Sequence, residues 1–416
     1  MTVKSAAVVP VYPTLASLSA PPVARGKRRN AQWRTWFPFS SRSGLWSFSG
    51  RVALYHGLPS LELPVGSTIL VPSYHQGVEI DTLLAAGYRL RYYRPDEILA
   101  IDLRDVERQL DATVSALYVI HYFGFPQPIA AVRGFCEAHG LKLIEDCALS
   151  LFSQHDDGTW LGSHGDLALF SVYKTLALPH GGFAVTRRAL PATMLRPVPR
   201  ASTLVQTIDL VQQTLRATGW AGVDRWAARV SRGVSRLLHW NRHRTISSGG
   251  ASFDPELLAY GVSRCVLALM RLVDRDRVVA RRRANFARLA ARLRGHLPCP
   301  FPELPAGTCP LFFPVMVPDK RRFQADLAAL GVESVNLWDA AHPTCPAHLA
   351  AEVSHWRRHC LELPIHQELD GATIDRVATA VLTVLETQRR TSSGPSPASR
   401  AASPAPDSPY QSALPA

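Results

Sequence analysis

Three short stretches of this 416-residue chain carry residue types that could do chemistry together. Leu167 to Ser171 is an apolar run that delivers a hydroxyl, and three residues on stands Lys174, a lone cation ahead of a Gly181-Gly182 turn. A solvated lysine titrates near pH ~10.4 and is a poor nucleophile. One drawn out of water near cationic groups is activated for attack on a carbonyl and Schiff-base formation. The apolar flanks of Lys174 favour that state over the solvated surface lysine that is the ordinary case. Leu143-Ile-Glu-Asp146-Cys-Ala148 is an apolar strand finishing on two carboxylates, and an acid at a strand's C-terminal end can face a ligand crevice. Asp146 could there keep a heteroaromatic ring nitrogen protonated, so that the ring acts as an electron sink. Glu145 and Asp146 could equally cap a helix or ligate a metal. Ser49-Gly50-Arg51-Val52 is a glycine turn opening a helix, and its amides, with Arg51, offer a phosphate cradle as any helix start does.

Such residues need a frame to bring them together. Thr68–Pro72, Tyr88–Tyr93, Val114–His121, Leu141–Glu145, Leu167–Val172 and Gly182–Thr186 read as strands alternating with helical patterns, the rhythm of an α/β sheet with crossover helices. Ile129, Val132, Phe135 and Cys136 recur at helical spacing before Gly140 stops the element. Residues 200–245 form a long amphipathic stretch, a helical insertion. Helix over Pro255–Leu293 with a break, strand over Leu311–Val317, and helices over Arg321–Leu330 and Ala372–Thr387 then follow. The expected organisation is a largely disordered arm over 1–45, a large domain over 46–250, a small α+β domain over 251–390, and a disordered Ser/Pro/Ala tail over 391–416.

Composition narrows the function. No apolar run approaches the roughly 18 to 20 residues of a membrane helix, and Pro10 and Pro13 interrupt anything like a signal peptide. Seven cysteines without CxxC pairs argue against a disulfide framework and for a cytoplasmic protein. His342, Cys345, His348, His355 and Cys360 match no standard zinc spacing, so no metal is expected. The net charge of +13 favours anionic partners, yet no nucleic-acid-binding signature is present and nucleic acid is disfavoured. The aromatic run Trp33, Trp36, Phe37, Phe39 is expected to pack the arm across a dimer.

The order of the Gly50 turn, Ile69-Leu-Val-Pro-Ser-Tyr-His75, Val119-Ile-His-Tyr-Phe-Gly124, Ile144-Glu-Asp-Cys-Ala148, Gly165 to Ser171 with Lys174, Gly181-Gly182 and Leu363-Pro-Ile-His366 resembles the DegT/DnrJ/EryC1/StrS aminotransferases. The resemblance runs over about residues 46–388. It implies an aspartate-aminotransferase-like α/β fold (fold type I) with a large, mainly parallel seven-stranded sheet domain and a smaller α+β C-terminal domain. It further implies a homodimer and the cofactor pyridoxal 5'-phosphate. Carried over position by position, Lys174 would form the Schiff base and Asp146 would contact the ring nitrogen. Ser171 and the Gly50-Arg51 turn would bind the phosphate, and Tyr74 or His75 would stack on the ring. His121 could line the pocket or be a core histidine satisfied by the backbone. Trp338 and His366 lie in segments that approach the family's active site and are expected on the substrate side.

The reaction so implied is transfer of an amino group, from glutamate as donor, to a keto group of a nucleotide-linked sugar or related metabolite. The chain departs from the family pattern in four places. Arg51 replaces the usual Thr and could reach a substrate carboxylate instead of phosphate; Leu149 replaces a polar residue; Ser171 and Lys174 are closely spaced; and no Asn-Tyr-Arg segment occurs near 245–253. These keep open another pyridoxal-phosphate reaction on an amino acid, elimination or decarboxylation, and a non-catalytic scaffold. Retention of Lys174 disfavours the related dehydratases, which carry His there.

Overall fold

The structure, a computed structural model, describes residues 8–19, 32–190, 195–217 and 253–392. Seven strands form one sheet: β1 (Gly44–Ser47), β2 (Thr68–Pro72), β3 (Arg89–Tyr93), β4 (Val114–Ile120), β5 (Lys142–Asp146), β6 (Leu167–Ser171) and β7 (Gly182–Thr186), in the order β1-β7-β6-β5-β4-β2-β3. β7 alone runs against the others. β2, β4 and β6 are apolar on both faces and almost wholly buried, as parallel strands covered by helices on both sides must be. β3 places Arg89 and Arg91 on the free edge, where charge deters pairing with another sheet. β1 has no alternating pattern to betray it and exists by pairing with β7.

One turn, α1 (Ala16–Ser19), precedes the sheet, and α2 (Gly50–Gly57), α3 (Val78–Ala85), α4 (Leu103–Arg108), α5 (Ile129–Ala138), α6 (Val172–Thr175) and α7 (Arg200–Ala217) interleave with it. The expected helix over Pro255–Leu293 is divided into a 3-10 turn (Pro255–Ala259), α8 (Arg264–Leu269), a second 3-10 turn (Met270–Leu272) and α9 (Arg275–Leu293). The smaller part pairs β8 (Phe313–Met316) with β9 (Cys360–Leu363) antiparallel, flanked by α10 (Lys320–Ala329), α11 (Ala347–Glu352), α12 (Ser354–His359) and α13 (Gly371–Ser392). A single buried cluster runs from Ile69, Ile144 and Leu169 of the sheet to Phe323, Leu361 and Val381, so the two parts share a core. Among the described residues no helix is long and apolar enough to cross a membrane.

Two expectations are revised. Within 1–45, residues 8–18 are held in place: Val9 exchanges backbone hydrogen bonds with Gly331 and Glu333, and the Glu368 carboxylate accepts from the Thr14 amide, the Thr14 hydroxyl and the Ser17 amide. Polar anchors and not apolar periodicity fix this segment, which is why composition reads as an arm. The aromatic run packs on its own chain: Phe39 stacks on Trp46 at 5.0 Å and meets Phe183 edge-on, while Phe37 lies against Trp160 and Phe170. The rings bury their area on the outer β6–β7 face, where burial itself supplies the stabilisation. Of the amphipathic stretch 200–245, α7 is described; its remainder, the region 245–252 and the tail beyond 392 lie outside the described residues.

Candidate active site

The C-terminal ends of β5 and β6 and the start of α2 converge on a cavity of about 250 Å³. Crevices at this end of an open α/β sheet are where such folds bind ligands. Asp146 and Ser171 close their strands, Lys174 follows in the one-turn α6, and Ser49, Gly50 and Arg51 come from the α2 turn; all six line the cavity. Gly50 is required because a Cβ there would stand 2.3 Å from the Ser171 hydroxyl. Gly182 is required because a Cβ would meet the Ser49 carbonyl group at 2.1 Å. The two glycines therefore let three separate segments close around one space.

Electrostatics divide the groups sharply. Burial lowers the Lys174 ammonium below its ordinary value, Arg51 pushes the same way, and the carboxylates of Asp146 and Glu79 oppose both. Burial raises the Asp146 carboxyl, against the hydrogen bond that Tyr118 donates to Oδ2 at 2.6 Å and the Ala148 amide at 2.8 Å. Glu79 is raised by burial and then by Asp146; its carboxylate accepts from the Gln76 amide at 2.7 Å and the Gly77 amide at 3.2 Å, capping α3. The Ser49 hydroxyl is buried without a hydrogen-bond partner among the described residues. An orphaned hydroxyl beside the amides of a helix N-terminus and Arg51 is a donor set suited to a phosphate.

The residues that sequence reading placed against a cofactor ring stand elsewhere. Tyr74 is buried between Trp338 and the Arg357 guanidinium, which lies 5.2 Å from its ring. Both ring nitrogens of His75 are engaged, one by the Pro72 carbonyl and one by the His342 amide, and burial lowers its pKa to about 3. Neither lines the cavity; Gln76 does, with Val78 and Glu79. The chain turns inward one residue later than aromatic character suggests, because Arg357 draws the Ser73 and His75 carbonyls the other way.

His121 resolves to its core alternative: Nε2 bonds Glu145 at 3.0 Å and Nδ1 accepts from the Gln127 amide at 3.1 Å. With Cys147 these groups lie within 4.8 Å of one another, but the Glu145 carboxylate is already filled by the amides of Gly162, His164 and Gly165. Trp338 packs on Tyr74 and Tyr122, and its neighbour Leu337 reaches the cavity instead. His366 bonds the Pro10 carbonyl at 2.9 Å, and thereby holds the segment that supplies Tyr12 to the cavity. Tyr12, Glu79, Tyr173 and Leu337 escaped sequence reading. Only Glu79 had a signal, an acid two residues after a glycine at the start of a helix.

The sequence model of the DegT/DnrJ/EryC1/StrS aminotransferase family matches residues 44–219. A GDP-perosamine synthase of Vibrio cholerae is 29% identical over 141 residues, 33% of this chain and 38% of that protein. The erythromycin biosynthesis sensory transduction protein EryC1 of Saccharopolyspora erythraea is 30% identical over 205 residues, 47% of this chain and 54% of that one. The chain spans about two-fifths of the length of the first curated relatives it matches. The crystal structure of AtS13 from Actinomadura melliaura superposes with a TM-score of 0.58 at 19% identity, over 90% of this chain and 98% of that one, a likeness of fold. The stretch that matches the family model contains Gly50, Asp146, Ser171 and Lys174, and over that stretch the chain is similar to the DegT/DnrJ/EryC1/StrS aminotransferase family.

Proposed function

We propose that the protein is a pyridoxal-phosphate-dependent aminotransferase that moves an amino group from glutamate to a keto group of a nucleotide-linked sugar. The observation that carries this reading is the meeting of Lys174 and Asp146 in one cavity with the unpartnered Ser49 hydroxyl at the start of α2. When bound, pyridoxal phosphate supplies a carbonyl for covalent capture of amines and a ring that takes up electrons released at the substrate carbon. Ser49, Ser171 and the first amides of α2 bind the phosphate, and Arg51 adds positive charge. Asp146 holds the ring nitrogen protonated, while Tyr118 and the Ala148 amide keep its carboxylate aimed. Lys174, its ammonium destabilised by burial, releases its proton readily and would be the cavity's amine for holding the cofactor and for moving a proton at the reacting carbon.

The sugar acceptor is favoured by the names of the relatives, a GDP-perosamine synthase among them. In this reading the protein works in the cytoplasm as a homodimer; its described cysteines are all free thiols, as a reducing compartment requires. The test is spectroscopic. Purified protein with added pyridoxal phosphate should show the absorption band of the lysine-bound cofactor, glutamate should bleach it, and Lys174→Ala should lack it while remaining folded. An unchanged band in Lys174→Ala would overturn the reading. A band that glutamate leaves intact but another amino acid consumes would replace transamination by elimination or decarboxylation.

A further inference from the structure

Lys174 sits in a helix of one turn, and such a turn leaves its last carbonyls without partners of its own. The Thr175 carbonyl is taken by two donors from the far side of the molecule: Arg282 Nη2 at 3.0 Å and Gln367 Nε2 at 3.2 Å. Arg282 lies on the buried face of α9 with 1% of its surface exposed. Its Nη1 donates to the carbonyls of Pro310 at 3.3 Å and Leu311 at 2.8 Å, and its Nε donates to the Gln367 amide oxygen at 2.9 Å. No carboxylate forms an ion pair with it among the described residues. One turn further along α9, the Asn285 amide donates to the carbonyls of Ile365, His366 and Leu369, fixing the loop from which Gln367 reaches out.

A guanidinium buried without a counter-ion is costly, and an apolar side chain in the same slot would be cheaper. What an apolar residue cannot do is hold several carbonyls at set angles. We infer that Arg282 and Gln367 are positioning residues for Lys174, a clamp by which the smaller part of the molecule fixes the peptide that follows the lysine. The inference rests on the cofactor reading of Lys174. A pinned main chain would hold Nζ at one place toward the cofactor.

Gln367→Leu removes a donor to Thr175 and leaves the guanidinium. We expect a folded protein by circular dichroism with faster amide hydrogen exchange over residues 172–178 before cofactor is added. With pyridoxal phosphate, the pH midpoint of the lysine-bound band should move, and kcat should fall on the order of tenfold while KM for glutamate changes less than about twofold. Should Gln367→Leu fail to fold, Gln367→Glu gives Arg282 a counter-charge while still removing the donor, and the same changes are expected. A folded variant with wild-type exchange, midpoint and kcat overturns the clamp. A wild-type protein that forms no band overturns the reading of Lys174 and the clamp with it.

Discussion

Glu145 and Asp146 are neighbours at the end of one strand and do opposite things. Successive side chains of a strand point to opposite faces, so one carboxylate enters the cavity beside Lys174 and the other turns away from it. On the far face three backbone amides and His121 fill the Glu145 oxygens. Burial alone would raise that carboxyl, but these bonds outweigh it and hold the group below its ordinary value. Asp146, also buried, receives one hydroxyl and one amide and stays raised. The same residue class at adjacent positions is thus a finished structural tie on one side and an incompletely solvated charge on the other. A carboxylate left short of partners is free to receive a ligand's proton donor.

The comparison can be broken by exchanging each oxygen for an amide. Asp146→Asn should lower kcat about a thousandfold with the fold intact, because an amide cannot hold a ring nitrogen protonated; steady-state rates and circular dichroism decide it. Glu145→Gln should do the reverse. It sets an NH2 against amides that need an acceptor, and should cost about 3 kcal/mol in urea unfolding while kcat stays within about fivefold. If Glu145→Gln lost activity and kept its stability, the two faces would have been assigned the wrong way round.

pH sharpens the same contrast. A carboxyl held below its ordinary 4.5 contributes stability that is complete above that value and is lost as pH falls through the folded-state pKa. The stability gap between wild type and Glu145→Gln should therefore be full near neutrality and shrink below about pH 4.5. A gap that stays constant into acid would mean that the Glu145 charge contributes nothing to the tie.

How much of this could be read in advance follows from the range of the interactions. That Lys174, Asp146, Ser171 and Gly50 line one cavity was legible because each marks a local event, a strand ending or a helix starting, and chain order does the rest. Tyr74 and His75 misled because their aromatic character is local, whereas the direction of their loop is set by Arg357, more than 280 residues on. Trp338 and His366 each failed by standing next to the backbone that matters: Leu337 in one case, Pro10 and hence Tyr12 in the other. The Arg282 grip on Thr175 spans 107 residues and has no signature in either segment.

The gentlest perturbation acts through Tyr118, whose hydroxyl is one of two donors to the Asp146 carboxylate among the described residues. That bond pulls the Asp146 carboxyl down against burial, so Tyr118→Phe should raise it further. On the proposed function, activity needs Asp146 ionised and should disappear as pH falls through its pKa. The acid limb of the kcat profile should therefore move to higher pH, with kcat at neutrality reduced about fivefold, the equivalent of one hydrogen bond worth about 1 kcal/mol. Phenylalanine brings no orphaned hydroxyl, which keeps the effect on stability small. Tyr93→Phe is the matching control, since the Tyr93 hydroxyl donates to the Tyr118 carbonyl at 3.1 Å and to neither Asp146 oxygen. An acid limb that moves in Tyr118→Phe and stays in Tyr93→Phe ties the profile to the Asp146 face of β5; one that stays in both would detach catalysis from that carboxylate.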